Sequence, residues 1–216
     1  VARLEVPEKR AGPVMAHSNA PADKAPARPG PVAYLTGQYP AVSHTFIQRE
    51  IAALRAQGAE VITCAVRPMP ESVVGKTQQA EAARTFYILT AAKNPLRLVG
   101  AHLSMFAHCP GGWARAFALA LLTSPPGLRA FVYQLIYLAE AGVLAAHLRH
   151  HGVTHLHNHF GDSSCTVAML TAEMAGIPFS YTEHGPSTFF APKHWRLDTK
   201  IARARSVVAI SHFCRS

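Results

Sequence analysis

The 216-residue chain carries 21 Lys and Arg against 12 Asp and Glu, a formal charge of +9, with 15% charged and 49% hydrophobic residues. That balance excludes a wholly disordered chain, which needs low hydrophobicity and high charge, and equally the collagen-like, coiled-coil and disulfide-scaffold classes. The length suits one domain with a real core. The positive excess suits an anionic partner such as phosphate groups, a membrane surface or nucleic acid, and no apolar run reaches the 18 residues of a spanning helix.

In chain order, residues 1–31 hold six of the 16 prolines and no aromatic residue, and are expected to form a flexible arm. Order is expected from Val32. The apolar run 32–36 ends at Gly37 as a buried strand. Ser43 is placed to cap a helix over 44–57, with Ile47, Ile51 and Leu54 on one face, and Gly58 to end it in the left-handed region. Strands follow over 60–66 and 86–89. A helical stretch over 95–150 is broken at Pro110-Gly-Gly112 and at Ser124-Pro-Pro-Gly127. Its last part sets Leu128, Phe131, Val132, Leu135, Leu138, Ala139 and Val143 along one face. A strand over 153–157 leads to a helix capped by Asp162 and closed by Gly176. Strands over 178–182 and 206–210 flank a helix over 197–204. Strands alternating with helices predict an open, mostly parallel α/β sheet.

In such a sheet ligands sit at the carboxyl ends of the strands, which selects the loops 37–43, 157–162, 182–190 and 211–216. Gly37 lets the first loop approach a ligand closely, and the free N–H groups of the following helix favour an anion. A tight strand-to-helix turn explains the same residues. In His155-Leu-His-Asn-His159 three imidazoles at period two share one face. Imidazole is a common metal ligand, but the run contains no acidic residue, and no metal is expected there. His184 and Gly185 emerge from the strand over 178–182, where a Glu183-His184 pair is hard to explain by packing. Cys64, Cys109, Cys165 and Cys214 stand singly, without a CxxC, as free thiols suited to a reducing cytoplasm. The start Val-Ala-Arg-Leu-Glu has no apolar signal-peptide core.

Four segments taken together resemble the amino-terminal half of family-4 glycosyltransferases of the two-domain GT-B fold, in particular those that build exopolysaccharide and colanic-acid-type polymers. They are Tyr39-Pro-Ala-Val-Ser-His-Thr-Phe-Ile-Gln-Arg-Glu-Ile51, His157-Asn-His-Phe-Gly161, Pro178-Phe-Ser-Tyr-Thr-Glu-His-Gly185 and Val207-Val-Ala-Ile-Ser-His-Phe213. The resemblance covers roughly 32–216 and rests on the order and spacing of the set. It implies a Rossmann-like sheet with helices on both faces, forming the acceptor-side domain of a retaining hexosyltransferase. The family's donor domain, with its Glu-x7-Glu motif, is not found within these residues.

By the same resemblance, His184 stands near the reacting sugar. Gly37, Tyr39, Ser43 and His44 line the acceptor and donor-phosphate loop. His159, Glu183 and Gly185 shape the cleft, and Ser211 lies near the passage to the donor domain. The expected partners are a nucleotide sugar as co-substrate, a saccharide or lipid-linked acceptor, and an anionic membrane face reached from the cytoplasm. Arg97, Arg115, Arg129 and Arg149 among apolar residues of 95–150 would serve that last contact. No resident cofactor, metal or nucleic acid is expected. The chain departs from the family where Ser43-His44-Thr45-Phe46 replaces Ser-Glu-Thr-Phe, and where Ser187 and Thr188 replace an acidic group. Two alternatives stand beside this reading. One is a non-catalytic module binding a lipid phosphate or partner protein. The other is a His-rich metal hydrolase built on 155–159 and His184.

Overall fold

The computed structural model describes residues 30–185 and 188–215; the expected arm lies outside them except for its last two residues. Six strands form one sheet: β1 (Val32–Gln38), β2 (Val61–Arg67), β3 (Phe86–Tyr87), β4 (His155–His159), β5 (Phe179–Glu183) and β6 (Ser206–Ala209). Their order is β3-β2-β1-β4-β5-β6, and every pairing is parallel. The expected open α/β sheet is therefore all parallel and Rossmann-like. The strand order reverses between β1 and β4, the position at which such sheets open a crevice beyond their carboxyl ends.

The period of two within each strand divides the core. Ala33, Leu35, Cys64, Val66, Leu156, Phe179 and Tyr181 face one way. Over them pack α3 (Ile88–Ala92), α4 (Pro95–His108), α5 (Pro110–Leu122), α6 (Leu128–His150) and α7 (Ser163–Ala175). Tyr34, Val61 and Ala65 face the other way and meet Ile47 and Ile51 of α1 (Thr45–Ala56). Helices cover both faces, as expected. α7 is buried nearly all round, from Ser164 to Ala172, which is what a helix sandwiched between sheet and outer helices requires. Gly112 lets α5 close on it: a Cβ there would stand 2.5 Å from the Met174 carbonyl oxygen and 2.7 Å from Cys109 Sγ.

Several local expectations are corrected. Ser43 does not cap α1; it is exposed in a 3-10 turn (Val42–His44), and the N-cap is His44, which makes no side-chain capping bond. β3 is only two residues long, because Ile88 and Leu89 already belong to α3. Gly111 and Gly112 do not break the helical stretch but lie in the first turn of α5, the interruption being the single residue Cys109. The apolar stripe expected along α6 divides. Gln134, Leu138, Ala141, Ala145 and Leu148 face the core, whereas Leu128, Phe131, Val132 and Leu135 are exposed. The buried Gln134 amide is satisfied by the Thr123 hydroxyl at 2.8 Å. The most apolar 18-residue window of α6 has mean hydropathy 1.4, long and apolar enough to cross a bilayer, yet 50% of it is buried within the protein. The helices α2 (Lys76–Arg84), α3 and α8 (Pro192–Trp195) were not anticipated, α8 being followed by the expected α9 (Leu197–Arg203). The last described element, α10 (His212–Arg215), lies where a loop was expected. Asp162 caps α7 by accepting the Ser164 N–H at 2.9 Å, and Gly58 and Gly176 adopt positive φ beyond their helices, as expected.

Candidate functional site at the strand-order reversal

The carboxyl ends of β1, β2 and β4 enclose a crevice of about 320 Å³ lined by Gly37, Gln38, His44, Arg67, Phe160 and Asp162, among others. A Cβ on Gly37 would meet nothing within 4 Å, so the glycine is not demanded by packing. The next peptide, Tyr39–Pro40, is cis. Tyr39 itself turns away from the crevice. It is 1% exposed, and its hydroxyl donates to Glu81 Oε2 at 3.2 Å, while Glu81 Oε1 pairs with Arg55 at 2.7 Å; the two contacts hold α2 in place. The expectation that Tyr39 lines the site is thus replaced by a core role. His44 is at the crevice, with Nδ1 3.2 Å from the Gln38 carbonyl and its ring 5.2 Å from that of Phe160. Burial lowers its pKa, against the raising effect of the Gln38 carbonyl.

The turn after β4 is tightly held. Phe160 has φ 74, a costly value for a bulky residue and one that clusters at functional sites. Asn158 Nδ2 donates to the carbonyls of His159 and Phe160. From below, the Lys200 ammonium, 0% exposed, donates to the carbonyls of Gly161 and Asp162, each at 2.8 Å. Lys200 was not anticipated as a site residue. Its signal was faint: on α9 the Lys is buried with Leu197 while Ile201 is 55% exposed, an inversion that composition does not reveal.

On the α1 side of β4 and β5 the sheet face is polar, whereas parallel strands are usually apolar on both faces. His155, His157 and His159 do share this face. Ser180 Oγ lies 2.8 Å from both His155 Nε2 and His157 Nδ1, and Thr182 Oγ1 lies 3.1 Å from His157 Nε2. His159 Nδ1 meets His184 Nε2 at 2.8 Å, with the rings stacked. His184 is half-buried against Phe46 and Phe160. Burial first, then neighbouring imidazoles, lowers the pKa of His157 to about 4 and of His159 to about 3, and lowers that of His184. These rings are neutral at ordinary pH. Glu50 of α1 completes the cluster. Its Oε1 accepts the Tyr34 hydroxyl at 2.7 Å, and its Oε2 lies 3.8 Å from His159 Nε2.

Glu183 and His184 point to opposite faces, as period two dictates. Glu183 is 4% exposed on the α7 side, where its Oε2 has no hydrogen-bond partner among the described residues. It therefore does not share the face of His159 and His184. Gly185 follows with its N–H 3.4 Å from Glu183 Oε1. Ser211 stands past β6, two strands from the reversal, and is exposed with its hydroxyl accepting the Cys214 N–H. A second cavity of about 440 Å³ adjoins the site through Lys200, lined by Arg129, Tyr133, Tyr137, Trp195 and Arg196 with others. Aromatic faces beside guanidinium groups suit a polyol or an anionic saccharide. No known family model matches the chain, and no curated protein matches it.

Proposed function

We propose that the chain is the acceptor-side half of a retaining glycosyltransferase that moves a sugar from a nucleotide diphosphate donor to a saccharide or lipid-linked acceptor in polysaccharide assembly. The observation that carries this reading is the convergence of the Gly37–His44 segment, the Phe160–Asp162 turn and the His159–His184 pair at the strand-order reversal. The second cavity, with Tyr133, Tyr137 and Trp195 beside Arg129 and Arg196, is the place for the acceptor. Glycosyl transfer develops positive charge on the sugar ring. A neutral imidazole at His184, held by His159, would orient hydroxyls there without adding a repelling charge. The exposed Leu96, Val99, Leu103 and Phe106 of α4, with Leu128 and Phe131 of α6 and the exposed Arg97 and Arg129, offer a surface for a lipid-linked acceptor's membrane. Arg115, expected to join it, is instead paired with Glu173 at 2.6 Å.

Calorimetric titration of the 216-residue chain with a short saccharide diphosphate and with a panel of nucleotide sugars tests the reading. Binding of the saccharide diphosphate, weakened by Trp195→Ala, is expected, with no micromolar nucleotide-sugar site. Tight nucleotide-sugar binding, or no saccharide binding, would refute it. In an enzyme completed by a donor domain, His184→Ala should lower turnover roughly a hundredfold.

A further inference from the structure

We propose that Glu50, His157 and His159 form a binding site for a divalent transition-metal ion of the Zn²⁺ type, joining α1 to β4. The run 155–159 has no acidic residue of its own, but the fold brings one to it from α1. A carboxylate oxygen of Glu50 and one ring nitrogen each of His157 and His159 lie within 4.8 Å of one another. Two imidazoles and a carboxylate are a set that binds zinc while leaving a fourth position for water.

The separation of His159 from Glu50 leaves room for a metal ion between them. His159 is 0% exposed, its Nε2 has no hydrogen-bond partner among the described residues, and this atom is 3.8 Å from Glu50 Oε2. That is too long for a hydrogen bond, and a water bridging two bonds of roughly 2.8 Å at a tetrahedral angle would need about 4.6 Å. Two ligand atoms about 2.05 Å from one tetrahedral zinc stand about 3.3 Å apart, so a small shift of the Glu50 side chain, 43% exposed, closes the gap.

Each ligand also has the outer support that metal sites use to fix tautomer and orientation. Tyr34 donates to Glu50, His184 engages the other nitrogen of His159, and Ser180 and Thr182 each hold one nitrogen of His157, so that one hydroxyl supports the ring while the other yields its place to the ion. With Nδ1 of His159 committed to His184, Nε2 is the nitrogen left to bind. The inference stands on these distances and not on the transferase reading.

Titration of the metal-free full chain with ZnCl₂ by calorimetry, and with CoCl₂ by visible absorption, tests it. One equivalent should bind, with the intense cobalt bands of a four-coordinate site. The near-isosteric Glu50→Gln, at a half-exposed position that should leave the fold intact, should weaken binding roughly tenfold or more. His157→Gln, checked for folding by circular dichroism, should do the same. His147, His150 and His151 cluster at the carboxyl end of α6 as a competing site, so His150→Ala with His151→Ala should leave the affinity unchanged. Absence of stoichiometric binding would overturn the proposal. So would binding indifferent to Glu50→Gln and lost with the α6 histidines.

Discussion

Glu140 lies in the middle of α6, 6% exposed, and burial raises its pKa from 4.5 to about 7, the Arg67 guanidinium offsetting only part of that rise. The carboxyl is therefore held neutral in the folded protein at a pH where the unfolded chain ionises it. Below pH 4.5 both states are protonated, and the group costs nothing. Between 4.5 and about 7 the unfolded state gains a favourable ionisation denied to the native state, and stability falls. Above about 7 both are ionised and the loss is constant, at about 3 kcal/mol for a shift of this size. Glu140→Gln keeps the shape and removes the titration. Urea unfolding of both proteins from pH 4 to 8.5 isolates the effect, because every histidine titrates alike in the two and cancels. The variant should match the parent within about 1 kcal/mol at pH 4.5 and exceed it by about 3 at pH 8, a large part of a typical domain's stability. A difference that does not vary with pH, or a parent that is more stable at pH 8, would show that Arg67 pairs fully with the carboxylate and that the burial argument is wrong.

Gly37→Ala should change stability by less than about 0.5 kcal/mol, since its Cβ meets nothing, yet weaken inorganic pyrophosphate binding at the crevice; unchanged affinity would remove Gly37 from the site. Lys200→Met strips a charged donor from two carbonyls and should cost about 2–4 kcal/mol by urea midpoint; no loss would mean that the turn holds itself. Gly112→Ala should lower stability by about 1–3 kcal/mol, read as a fall in Tm, through overlap with the Met174 carbonyl. In vesicle flotation the chain should float with anionic and not neutral lipid, and less so after Leu103→Asp with Phe106→Asp; salt-insensitive, lipid-indifferent partition would refute the membrane contact.

The sheet was legible because its strands are short apolar runs set between turn residues, and because Asp162, Gly58 and Gly176 are positional signals with a stereochemical basis. α2 was not, since Lys-Thr-Gln-Gln-Ala-Glu-Ala-Ala-Arg has almost no apolar face; tertiary bonds from Arg55 and Tyr39 to Glu81 hold it. The same logic divides the site. His44, His159 and His184 could be placed because strand ends and period two locate them. Glu50 and Tyr34 could not be joined to them, because a contact across 16 residues between a helix and a strand depends on how α1 crosses the sheet. Tyr39 and Ser43 misled for a related reason: a loop position gives no direction to a side chain, and the turn sends Tyr39 into the core.

Lys200 has a consequence for reading any mutational survey of this protein. One ammonium is both part of the wall of the larger cavity and the clasp on the carbonyls of Gly161 and Asp162, while Asp162 belongs to the smaller crevice. A phenotype at position 200 therefore cannot be credited to one compartment. Any solute that drew the ammonium towards the larger cavity would loosen the turn on the other side, and the two occupancies would then be linked with equal and reciprocal strength. Substitutions at Trp195 and Gly37, each touching one compartment alone, are the pair that separates them.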